Sequence, residues 1–172
     1  MSARQTAGTA TDPATTARTI PSSSAVLNVV VRVAGDIPVR IDLTHAGTRE
    51  QQLGMSLGTV LIYLRSAATA RAVAEGWRTT AMLARPLSPI LTGRRPLQPG
   101  PSTAGVLVRL AGVPQVHAAY QPAQRSGTIP ALLRITVGPI TWEIPDANAY
   151  TSLARAWRRA TALLEDNPEG RE

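Results

Sequence analysis

This 172-residue chain predicts an α+β fold, a two-layer sandwich in which an antiparallel sheet of about six strands, three hairpins in all, is covered on one face by two amphipathic helices. Three observations carry the prediction. Several short runs alternate apolar and polar residues, two longer stretches repeat apolar residues at three- and four-residue spacing, and a proline-rich stretch divides the chain into halves that open alike. The predicted order is ββα, linker, ββββα. Residues 1–24 are expected as a disordered tail, 25–167 as one domain, and 168–172 as a short C-terminal tail. Within the domain, halves 25–85 and 104–167 are joined by the linker 86–103.

In the first half, Leu27, Val29, Val31 and Val33 share one register while Asn28 and Arg32 share the other. Ile37, Val39, Ile41 and Leu43 repeat the alternation, with Arg40 and Asp42 outward, and Gly35-Asp36 between the runs reads as a hairpin turn. From Leu53 the spacing changes. Leu53, Leu57, Val60 or Leu61, Leu64, Ala67 or Ala68, Val73 and Trp77 fit one long amphipathic helix, started near Thr48 with Gln51 in the reciprocal capping position, kinked near Gly76 and ended before Pro86.

Pro86, Pro89, Pro96, Pro99 and Pro101, with Gly93, Gly100 and Arg94-Arg95, then form a stretch suited to neither helix nor sheet ladder. The second half opens with Val106, Val108 and Leu110 against Arg109, turns at Gly112, and continues through Val116, Ala118 and Tyr120 with His117 outward. Leu133, Ile135 and Val137 alternate with Arg134 and Thr136. Gly138-Pro139 turns into Ile140, Trp142 and Ile144, with Thr141 and Glu143 outward. Asp146 is placed to cap a last helix whose stripe is Tyr150, Leu153, Trp157, Ala160 and Leu164, with Arg155, Arg158 and Arg159 opposite.

Val31 to Val39 and Val108 to Val116 share a pattern of apolar, Arg, apolar, Ala, Gly and then Pro. Leu133 to Ile140 follows it more loosely. Turn chemistry alone favours Gly and Pro at such places, so the repeat is read as duplication or as convergent hairpins. If the hairpins join in one sheet, its open face carries Arg32, Arg40, Arg109 and Arg134, interrupted by Asp42, Glu143 and His117.

The composition excludes several chemistries. There is no cysteine, hence no disulfide, thiolate nucleophile or cysteine-bound metal. His45 and His117 are the two histidines and have no metal-ligand spacing, so neither a metal nor a cofactor is expected. No phosphate-cradling glycine loop occurs; Gly54-xxx-Gly58 falls inside the helical pattern and reads as a close-approach surface. Asp42 and His45 could form a dyad with a hydroxyl nucleophile, but a turn with a cap explains them as well, and no enzyme or small-molecule substrate is inferred. No apolar run suits a signal peptide or a membrane span, and a cytoplasmic location is expected.

The net charge is +7, and all 18 basic residues are arginine. An arginine surface suits polyanions, although GC-rich bacterial codon usage produces the same bias. The leading expectation is sequence-nonspecific binding of nucleic acid, DNA or another polyanion, through Arg32, Arg40, Arg109, Arg134, Arg155, Arg158 and Arg159. Arg71, Arg78 and Arg85 form a further stripe. Because Tyr120 and Trp142 fall on the inward register, contact with a duplex backbone is expected rather than base stacking. The alternative is a homo-oligomeric structural or protein–protein interaction module, which pairs with another copy, as a homodimer for instance, or with a partner through exposed sheet edges and the polar sheet face.

Overall fold

The computed structural model describes residues 28–91, 105–124 and 130–168. The expected N-terminal tail, residues 169–172, Arg94-Arg95 and most of the proline-rich linker lie outside the described residues. In chain order the elements are β1 (Val29–Arg32), β2 (Val39–Thr44), β3 (Gln52–Leu57), β4 (Val60–Leu64), α1 (Ala67–Thr79) and the short α2 (Ala81–Ala84). Then come β5 (Val106–Arg109), β6 (Val116–Gln121), β7 (Leu132–Val137), β8 (Ile140–Ile144) and α3 (Ala147–Asp166). The fold is α+β, as expected, but the described residues form two four-stranded sheets rather than one of about six strands, and three helices rather than two.

The sheet orders are β1-β8-β7-β6 and β2-β3-β4-β5. Each sheet therefore takes three antiparallel strands from one half of the chain and a fourth from the other half. That fourth strand is parallel: β1 lies beside β8 and β5 beside β4. The cross-half bonds match atom for atom. Val29 donates to the carbonyl of Pro139 and Val33 to that of Glu143, while Val106 donates to Thr59 and Leu110 to Tyr63. The chain is thus two ββββα units that exchange their first strands about a pseudo-twofold axis. The likeness of residues 31–39 to 108–116 marks this repeat, because both segments carry the chain from an exchanged strand back to its own sheet.

Neither Gly35 nor Gly112 makes the hairpin turn expected of it. Both have positive φ, +72° and +68°, but the strands on either side lie in different sheets. Side chains of the helices take the backbone groups that a hairpin would have paired. The Gly35 N–H donates to Asp146 Oδ2 at 2.9 Å, Ile37 exchanges bonds with Ser152 Oγ at 3.2 Å, and the Gly112 carbonyl accepts from Thr69 Oγ1 at 2.6 Å. Pro38, lacking an N–H, fits this crossing better than a ladder.

The long helix expected from Leu53 to Trp77 is instead a hairpin followed by a shorter helix. Leu53, Leu57, Val60 and Leu64 satisfy helical spacing, yet they also belong to two period-two sets, Leu53-Met55-Leu57 and Val60-Ile62-Leu64. All six of these residues are at most 1% exposed. A pair of strands puts them on one face, whereas a helix would distribute them around its circumference. Gly58, at φ +60°, makes the turn. Thr48 caps no helix; its hydroxyl donates to the His45 carbonyl at 2.8 Å within the β2–β3 loop.

Gly76 does not kink α1. A Cβ there would lie 2.4 Å from Val116 Cγ2, so glycine permits the helix to seat directly on β6. Asp146, fully buried, caps α3 as expected, accepting from Ala149 N–H at 2.8 Å. Ser66 is the matched cap of α1. Each helix reaches beyond its own sheet, α1 touching β6 as well as β4, and α3 touching β2 and β3 as well as β8. One apolar core, centred on Trp77, Trp142 and Trp157, therefore draws on both sheets and both long helices.

Candidate nucleic-acid interface

The four sheet arginines do not share one surface. Arg32 and Arg134 stand on the outer face of the β1-β8-β7-β6 sheet, and Arg40 and Arg109 on that of the other sheet, because β1 and β2 belong to different sheets. On the first face Arg32, Glu143 and Arg134 are register neighbours in one row. Glu143 accepts from Arg32 Nε and Nη2 at 2.9 and 2.5 Å, and from Arg134 Nε and Nη2 at 3.0 and 2.6 Å. Its side chain is only 6% exposed beneath the two guanidinia. Burial pushes this carboxyl up, but the hydrogen bonds and charges of Arg32 and Arg134 outweigh burial and hold it below its ordinary 4.5. Both guanidinium forks are directed at this carboxylate, which leaves them poorly placed to grip a phosphate.

The matched row on the other sheet is Asp42, Gly54, Tyr63 and Arg109. Under the pseudo-twofold relation Tyr63 takes the place of Glu143, Arg109 that of Arg32, and Gly54 that of Arg134. The tyrosine ring leans across the glycine: a Cβ on Gly54 would meet Tyr63 Cε1 at 3.2 Å. Tyr63 is half-buried. Among the described residues no carboxylate lies within ion-pairing distance of Arg109. Arg40 is less free, since its Nε donates to Asp42 at 2.8 Å.

Beside this row a groove of about 420 Å³ opens between the β2–β3 loop and the start of α1. Glu50, Gln52, Tyr63, Arg65, Ser66 and Arg109 contribute to its walls. The loop is well braced. Gly47 N–H donates to the side chain of Gln51 at 2.7 Å, Glu50 N–H to Thr48 Oγ1 at 3.2 Å, and the Arg65 guanidinium to the Arg49 carbonyl. Among the described residues the groove's walls combine a tyrosine, two arginines, a glutamine and one glutamate.

The helical arginines are distributed differently. Arg155, Arg158 and Arg159 are exposed on α3, as expected, with no ion pair among the described residues. Arg71, Arg78 and Arg158 border a cleft of about 370 Å³ between α1 and α3. Arg71 is bound to Glu165 at 2.6 Å and Arg78 to Glu75 at 2.5 Å, and this second contact holds Glu75 below its ordinary range. His45 adopts φ +51° in its turn and Asp42 pairs with Arg40; among the described residues no ion pair joins His45 to Asp42.

Tyr63, Arg65, Glu50 and Gln52 escape a helical reading that starts near Thr48 and runs to Trp77. Alternation of Leu61 and Tyr63 with buried Val60, Ile62 and Leu64 was the signal that would have placed Tyr63 on an outer face. Among the described residues there is no cluster of groups able to hold a metal ion, and no helix long and apolar enough to cross a membrane. No family model, curated protein or solved structure matches the chain.

Proposed function

We propose that the protein binds single-stranded nucleic acid across the outer face of the β2-β3-β4-β5 sheet. The observation that carries this reading is Tyr63, an outward aromatic residue beside Arg109, which has no ion pair among the described residues, in the wall of a groove that also contains Arg65. The expectation of duplex binding rested on the inward registers of Tyr120 and Trp142; an outward tyrosine removes that ground. A base stacked on a protein ring contributes about 1–3 kcal/mol and is tolerant of sequence, while arginines take the flanking phosphates. Affinity is expected to fall with salt, with a modest logarithmic slope of about −0.7 per phosphate contacted.

The test is fluorescence anisotropy of a labelled 12-mer of thymidylate titrated with protein at several salt concentrations. Tyr63→Ala should weaken binding at least fivefold, the lower end of the stacking range. Arg109→Ala should weaken it and make the salt slope shallower by about 0.7. No binding at low salt, or full affinity in both variants, would refute the reading.

A second reading is assembly through strand edges. Val30 on β1 and Leu107 on β5, at matched positions of the two exchanged strands, are each 57% exposed at the ends of their sheets. Light scattering tests it: a mass of one chain at high concentration counts against it.

A further inference from the structure

We propose that the groove beside Tyr63 seats a single base, and that Glu50 selects bases whose exposed edge presents adjacent N–H donors, guanine above all, over thymine and uracil. The inference rests on the single-strand reading and deepens it.

A carboxylate in a polyanion-binding groove weakens the attraction for phosphate, which makes Glu50 anomalous beside Arg65 and Arg109 unless it faces something other than phosphate. Its surroundings suit it to a base edge. Arg65, the residue after β4, reaches across to the Arg49 carbonyl and ties down the loop one residue from Glu50. Thr48 receives the Glu50 N–H, and buried Gln51 fastens Gly47. The loop is thereby held against the end of the sheet, with Glu50 and Tyr63 lining the same cavity.

Tyr63 stacks on any base, so it supplies affinity without choice. An ionised carboxylate only accepts hydrogen bonds. Guanine offers N1–H and the N2 amino group side by side, a bidentate match to two carboxylate oxygens. Cytosine and adenine each offer one amino group. Thymine and uracil offer N3–H between two carbonyl oxygens, which a carboxylate repels. Gln52, whose amide both donates and accepts, lies in the same wall and can meet the guanine O6. The expected order is guanine, then cytosine and adenine, then thymine and uracil.

The experiment compares an alternating dT-dG 12-mer with a dT 12-mer by anisotropy, using the full chain and its Glu50→Ala variant. A good bidentate contact to a base discriminates by roughly fivefold or more. The unaltered protein should therefore prefer the guanine-containing strand by at least that factor. In the variant the two affinities should converge to within about twofold, with thymidylate binding equal to or tighter than before because a negative charge has gone. Equal affinities for both strands in the unaltered protein would overturn the selection while leaving single-strand binding intact. Retention of the preference in Glu50→Ala would assign it to another residue. Failure of both strands to bind would remove the underlying reading as well. Glu50 is exposed, so its replacement leaves the core untouched.

Discussion

Glu143→Gln is the sharpest probe of how the outer face of the β1-β8-β7-β6 sheet is held. The substitution keeps the shape of the side chain and removes its charge. Glu143 accepts four N–H bonds from Arg32 and Arg134, and glutamine would turn an NH2 group toward guanidinium donors on one side. Breaking a fully buried ion pair costs about 3–5 kcal/mol. Here the arginine side chains remain 54% and 46% exposed, so water can solvate them once they are released, and the expected cost falls to about 1–3 kcal/mol. Urea unfolding followed through the buried tryptophans would read this as a fall in midpoint on the order of 1 M. Acid should close the gap. The folded carboxyl titrates below its ordinary 4.5, so its contribution is complete above that pH and disappears as pH falls through the lower folded value. A variant within about 0.5 kcal/mol of the parent at neutral pH, or a gap that persists in strong acid, would refute the account.

Two further substitutions test the joints of the fold. Asp146→Ala removes the α3 cap and strands the Gly35 N–H, for a combined cost of about 2–4 kcal/mol by chemical denaturation, whereas Ser66→Ala, the matched cap, loses one bond and should cost about 1 kcal/mol. Gly76→Ala gains up to about 1 kcal/mol of helix propensity but drives a methyl into Val116, so thermal unfolding should show net destabilisation of about 1–3 kcal/mol, recovered in large part when Val116→Ala is added.

Much of this architecture can be read from alternation. The outward positions of Arg32, Arg109, His117 and Arg134, the Gly138-Pro139 turn, the Asp146 cap and the stripe on α3 follow from local rules that the tertiary structure respects. Residues 53–64 mislead because spacings of three and four across a two-residue turn imitate a helix. Under helical spacing Tyr63 has no outer sheet face to stand on, and the groove has no wall. The partition into two sheets was not local at all. A Gly turn between two alternating runs looks the same whether the second run returns beside the first or crosses to another sheet, and here Asp146 and Ser152, more than a hundred residues away in the chain, satisfy the crossing backbone.

The exchange of first strands also bears on how such a protein can diversify. Two separate copies of one ββββα unit, trading strands in the same way, would present identical faces, and any change to one face would be imposed on the other. Joining the units in a single chain lifts that constraint. A glutamate clamped between two arginines and a tyrosine leaning over a glycine can then occupy the same place in twin frameworks, each face free to change without the other.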